Sequence, residues 1–340
     1  MDFFQPQDHQ NVSSKIYSTL LRYQKLGVWI VMLAAYAYLA VQLFNFKHYP
    51  EFFQQLKNVS FFQFSCLVLV FILLPFNWSL EAFKWQKLIS NSQPISFQIA
   101  LKSVFAGIYT GFFTPNRISE MLGRVLFLKS ENRKAGAVLS VVNSLTQNII
   151  MTLCGIPACI FFFSRTSKSL NLDGYHFIIW VTLFLFFSLL LYFLLPYLSR
   201  RTWFSKIASY TAILKAYSHT DLFRILLLSL LRYVVFCTQF FLMLRFFGVA
   251  LTPLQALIAI PANYLFVTYT PSIAFSEAAV RSSYALLFIG AFSTQLVGIA
   301  LAGVCIWVVN FIVPLLMGSI LMLRINGEDK TSNETTQFQE

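Results

Sequence analysis

Two short polar runs stand inside apolar sequence: TPNRISEMLGR at 114–124 and TPSIAFSEAAVR at 270–281. Each opens on Thr-Pro, carries a Ser-Glu pair and places an Arg four residues after the Glu. On a helix, Glu120 therefore shares a face with Arg124, and Glu277 with Arg281. Two readings of the acids stand side by side. Each glutamate pairs with its own arginine and pins the local chain, or it meets a cationic or hydroxyl-bearing substrate group, or a proton. Such a pair contributes only about 0.2–0.5 kcal/mol in water, while a charge at mid-bilayer costs about 2.5–3.5 kcal/mol. Pairs facing lipid would therefore be a net loss. They require a protein-lined, partly hydrated cavity, where irregular backbone after Pro115 and Pro271 is also tolerated.

Other polar residues can join that cavity. Arg117, at the tip of the first run, can hold an anionic phosphate by bidentate hydrogen bonding. Arg232 lies deep in an apolar segment and must face the protein interior, with Glu277 or Glu120 as its expected partner. Lys102 is expected to snorkel to the membrane surface. Asn116, Asn143, Gln147, Asn148 and Asn263 either line the cavity or bond between helices. The candidate substrate-binding set is Pro115, Asn116, Arg117, Glu120, Arg124, Arg232, Pro271, Ser276, Glu277 and Arg281.

Enzyme signatures are missing. The four His show no metal-ligand spacing, and neither a nucleophile elbow nor a glycine-rich phosphate loop is present. The five Cys all fall in apolar stretches without a C-x-x-C pair, as small hydrophobes do. No catalytic residue, metal or cofactor is called for.

The elements that must position these residues are membrane helices. Of 340 residues, 57% are hydrophobic and only 11% charged, against about 25% charged in an ordinary soluble domain. The net charge of +12 comes from Lys and Arg beside apolar runs, which fits the positive-inside bias; no nucleic-acid partner is implied. Apolar segments are expected at 26–46, 60–80, 96–113, 135–163, 175–198, 222–247, 253–269 and 292–323. The pieces at 118–128 and 276–290, about 16 and 22 Å long at about 1.5 Å per residue, are too short to span comfortably. Each is expected to turn back as the second arm of a re-entrant hairpin broken at its proline.

With a cytoplasmic N-terminus and both hairpins returning to the side they entered, most basic residues fall inside. The expected fold is thus an all-α polytopic membrane protein with about six full spans and two re-entrant hairpins. It forms an inverted repeat, with one half at about 60–163 and the other at about 222–323, within a single transmembrane domain at 26–324. Residues 1–25 form a cytoplasmic segment and 325–340 a disordered cytoplasmic tail. The stretch 200–221 is expected to be an amphipathic helix on the cytoplasmic surface. The first apolar run continues into VQLFNF without a polar break and is expected to be retained, not cleaved.

The first run resembles the Pro-x-Arg-x-Gly-Glu-x-x-x-Arg signature of the lysylphosphatidylglycerol synthase transmembrane-region family, also called flippase-like membrane proteins. Pro115, Arg117, Glu120 and Arg124 match it, and Ser119 stands where the family often has Gly. The second run is similar to that family's second Pro-to-Glu motif through Pro271 and Glu277, without the Gly-Gly between them. The resemblance extends over roughly 15–325. It implies the membrane half of such proteins without an aminoacyl-transferase domain, and hence translocation of a polar-headgroup lipid: a phospholipid, an aminoacylated lipid or a polyprenyl-linked lipid. The partners implied are membrane lipids, and the location the cell's inner or plasma membrane. The rival expectation is an accessory subunit scaffolding an envelope-biosynthesis enzyme, docked through 200–221. An intramembrane transferase using Glu as base is the weakest alternative.

Overall fold

The computed structural model describes residues 57–112, 114, 117–166, 174–198 and 212–323, together with scattered positions between 30 and 54. The expected segment at 26–46 is therefore described only in part. The segments at 1–25, 200–211 and 325–340 lie outside the described residues.

Every regular element among the described residues is helical. In chain order they are α1 (Phe61–Ile89), α2 (Phe97–Gly111), α3 (Glu120–Val125), α4 (Arg133–Thr166), α5 (Gly174–Leu198), α6 (His219–Phe246), α7 (Pro253–Tyr269), α8 (Ala274–Ile289) and α9 (Leu296–Trp307). Helix α9 runs on through a π-helical turn at Val308–Ile312 to Leu323. Among the described residues, four helices are long and apolar enough to cross a membrane: α1, α4 with its preceding turn, α6, and α9 with its continuation. Large apolar side chains such as Phe61, Phe71, Phe76, Phe223 and Leu231 are exposed on α1 and α6. That is unfavourable in water but suits a hydrocarbon surround.

Local sequence explains the helix starts. Ser60 and Gln63 close a capping box on α1, Ser218 and Asp221 on α6, and Thr252 and Gln255 on α7; each satisfies backbone N–H groups that a helix start leaves free. Ser96 caps α2 through the Ile99 N–H. Helix α1 packs along α6, α4 against α7, α2 against α3, and α8 against both α7 and α9.

The two Thr-Pro runs break the chain between helices. After α2, the Ser119 hydroxyl donates to the Thr110 carbonyl at 2.5 Å, and the Ser119 N–H donates to Thr114 Oγ1 at 3.0 Å. Helix α3 can then lie against α2 only because Gly123 has no side chain; a Cβ there would sit 2.3 Å from the Ala106 carbonyl oxygen. After α7, Thr270 is extended and its hydroxyl donates to the Phe266 carbonyl at 2.7 Å before α8 begins.

Boundaries depart from expectation where charge is compensated. Helix α1 does not stop at 80 but continues to Ile89, carrying Glu81 and Lys84 into the interior. Helix α3 is shorter than the 118–128 expected, with six residues. Helix α9 starts at Leu296 rather than 292.

Candidate functional site

Eight charged side chains converge on one cavity of about 420 Å³: Glu81 and Lys84 from α1, Arg117 from the break, Glu120 and Arg124 from α3, Arg232 from α6, and Glu277 and Arg281 from α8. Two of them are sealed from the surface, Lys84 at 0% and Glu81 at 1% exposure, and Glu81 is the hub. Glu81 Oε1 accepts from Arg124 Nη2 at 2.5 Å and from Asn143 Nδ2 at 2.7 Å. Its Oε2 lies 2.8 Å from Arg232 Nη1 and 3.1 Å from Lys84 Nζ. One carboxylate thus serves three cations. An isolated buried charge costs several kcal/mol even after relaxation, so the three cations are tolerable there only together with their shared acid.

The motif pairs form as their spacing predicts. Arg124 Nη2 donates to Glu120 Oε1 at 2.5 Å, and Arg281 Nη2 to Glu277 Oε1 at 3.0 Å. A further contact joins the two motifs: Arg117 Nη2 donates to Glu277 Oε2 at 2.6 Å. Arg117 adopts φ 56°, a left-handed backbone that costs a non-glycine residue about 1–3 kcal/mol. Its guanidinium lies 4.1 Å from the centroid of the Phe311 ring, which the π-helical turn presents. Cation–π attraction and the ion pair together offset that strain.

Arg232 is partnered differently from the expectation. Neither Glu277 nor Glu120 takes it; Glu81 does, with Asn77 Oδ1 accepting from Arg232 Nε at 2.9 Å. Asn77 in turn donates to Asn310 Oδ1 at 2.7 Å, so α1, α6 and α9 share one polar chain. The physical reason is depth. Arg232 lies on the α6 face that packs along α1, where Glu81 is the acid on hand.

Of the residues expected in the site, Arg117, Glu120, Arg124, Arg232, Glu277 and Arg281 line the cavity, as do Asn143, Gln147 and Asn148. Pro115 and Asn116 lie outside the described residues. Pro271 is exposed at the break and Ser276 does not reach the cavity; the Ser276 hydroxyl accepts from the Ile273 N–H and donates to the Ile273 carbonyl, capping α8. Asn263 is fully buried away from the lining, and Lys102 is exposed on α2.

Sequence reasoning missed Glu81 and Lys84. They follow an apolar run and resemble its polar flank, but Glu81, Lys84 and Trp85 continue the helical spacing of Asn77 and Trp78 on one buried face. That continuity was the available signal. The cavity holds five cations against three carboxylates, a formal excess of two positive charges. Such a chamber can desolvate and hold a charged group that hydrocarbon alone would reject.

Comparison with curated proteins and with solved structures gives no match. The profile of the lysylphosphatidylglycerol synthase TM region matches residues 26–318, most of the chain. The protein therefore belongs to the lysylphosphatidylglycerol synthase transmembrane-region family, membrane proteins related to lipid metabolism.

Proposed function

We propose that the protein translocates a polar-headgroup lipid between leaflets, the headgroup passing through the charged cavity while the acyl or prenyl chains stay in the bilayer. The observation that carries this reading is the meeting of both Thr-Pro runs in one chamber, linked by the Arg117–Glu277 pair. Fixed charge inside a membrane is expensive and marks substrate paths.

The reading includes an inverted repeat whose two broken helices enter from opposite faces, as in secondary transporters. Matching contacts in the two halves support it. In α4, a Cβ on Gly155 would lie 3.1 Å from the Pro261 carbonyl oxygen and 2.6 Å from Leu265 Cβ of α7. In α9, a Cβ on Gly318 would lie 2.4 Å from the Phe105 carbonyl oxygen and 3.1 Å from Tyr109 Cβ of α2. Each half's last helix thus seats a glycine on the corresponding turn of the other half's broken helix. In this reading the N- and C-termini face the cytoplasm and the membrane is the cell's inner or plasma membrane.

The test is leaflet exposure of labelled lipid in proteoliposomes. Glu120→Gln and Glu277→Gln are expected to slow exchange at least about tenfold, the factor that 1.4 kcal/mol represents. Folded variants that exchange lipid at the wild-type rate would refute the role of the cavity.

A further inference from the structure

The cavity's charge balance says which headgroup it accepts. Every carboxylate in it is already engaged: Glu81 by Lys84, Arg124 and Arg232, Glu120 by Arg124, and Glu277 by Arg117 and Arg281. A cationic headgroup would have to compete with an arginine or lysine at each of them. The most open charge in the cavity is a cation: the Arg117 side chain is 34% exposed, against 21% for Glu120, 13% for Glu277 and 1% for Glu81. The excess of two positive charges points the same way.

Resting on the translocation reading, we propose that the cavity binds a phosphomonoester headgroup, in preference to a phosphodiester or an aminoacylated one. A phosphomonoester carries about −1.5 to −2 charge at pH 7, which matches the excess of the cavity. Its three terminal oxygens suit guanidinium forks, which bind phosphate in a bidentate manner. Arg117 is the entry contact, because its side chain is 34% exposed while those of Arg124 and Lys84 are nearly sealed. The incoming phosphate exchanges with Glu277 on Arg117, and Glu277 keeps its bond to Arg281. No covalent bond forms or breaks.

The experiment measures binding to the purified full chain in nanodiscs of phosphatidylcholine doped with one test lipid at a time. The test lipids are phosphatidate, phosphatidylglycerol and lysyl-phosphatidylglycerol; a further arm adds inorganic phosphate alone. Phosphatidate is expected to bind at least tenfold more tightly than phosphatidylglycerol, and the lysylated lipid more weakly still. Arg117→Gln should reduce the phosphatidate preference at least tenfold, Arg117→Lys should keep part of it, and Lys102→Gln, outside the cavity, should leave it unchanged. Equal or tighter binding of the lysylated lipid to wild-type protein would overturn the proposal, and that arm needs no variant to fold. Inorganic phosphate competing as well as phosphatidate would also overturn it, assigning the cavity to a free anion. Selective phosphatidate binding without lipid exchange would sink the translocation reading and leave the anion site standing; exchange without headgroup preference would do the reverse.

Discussion

Arg117 and Glu277, 160 positions apart in sequence, meet at 2.6 Å and tie the first Thr-Pro break to the helix after the second. Neither residue's own helix requires this contact. It links two parts of the chain that otherwise pack with different neighbours, α3 with α2 and α8 with α7 and α9. A double-mutant cycle on Arg117→Gln and Glu277→Gln should show a coupling of about 0.5–3 kcal/mol in detergent unfolding, the usual range for residues in contact. Additive losses would mean that the pair does not act as a latch.

Glu81 holds three cations in the interior, so its loss should be the most damaging single change in the cavity. Glu81→Gln is expected to cost about 3–5 kcal/mol, the penalty for leaving buried charge uncompensated. The readout is the yield of monodisperse protein and its melting temperature. Adding Lys84→Met to that variant should recover part of the loss by removing one stranded cation.

Gly155 and Gly318 make matching close approaches, so replacing either should have a similar effect. A Cβ at position 318 would press 2.4 Å from a backbone oxygen, and at position 155 about as tightly on Leu265. Each Gly→Val change should destabilise by about 1–3 kcal/mol, as overpacking usually does. A large cost at one site and none at the other would argue against equivalent halves.

The opposite orientation proposed for the two halves predicts a labelling pattern. Asn91, in the exposed turn between α1 and α2, and Ala250, exposed between α6 and α7, hold corresponding places. In a background without the native cysteines, Asn91→Cys should react with an impermeant thiol reagent only from the cytoplasmic side, and Ala250→Cys only from the outer side. Both reacting from one side would remove the inverted repeat.

The sequence displayed the site unevenly. Glu120, Arg124, Glu277 and Arg281 were visible because the same acid-to-base spacing occurs twice after Thr-Pro, and helix α7 was legible to its last residue because Thr252-Pro253 and Thr270-Pro271 punctuate both ends. Glu81 and Lys84 were not, since a charge cluster at the end of an apolar run looks like a solvated flank until its counter-ions are known. Those counter-ions, Arg124 and Arg232, come from α3 and α6, far along the chain. Long-range pairing of this kind leaves no local periodicity to read. The π-helical turn that brings Phe311 beneath Arg117 has no local marker either.

Glu81 lies as far beyond the Ser60 cap of α1 as Gln239 lies beyond the Ser218 cap of α6, and Gln239, also fully buried, spends its amide on the Val70 carbonyl. An anion thus stands at one place where a neutral amide stands at its counterpart. If the protein is the translocator proposed above, that asymmetry predicts inward- and outward-facing forms of unequal energy before any cargo arrives, and hence a preferred resting side.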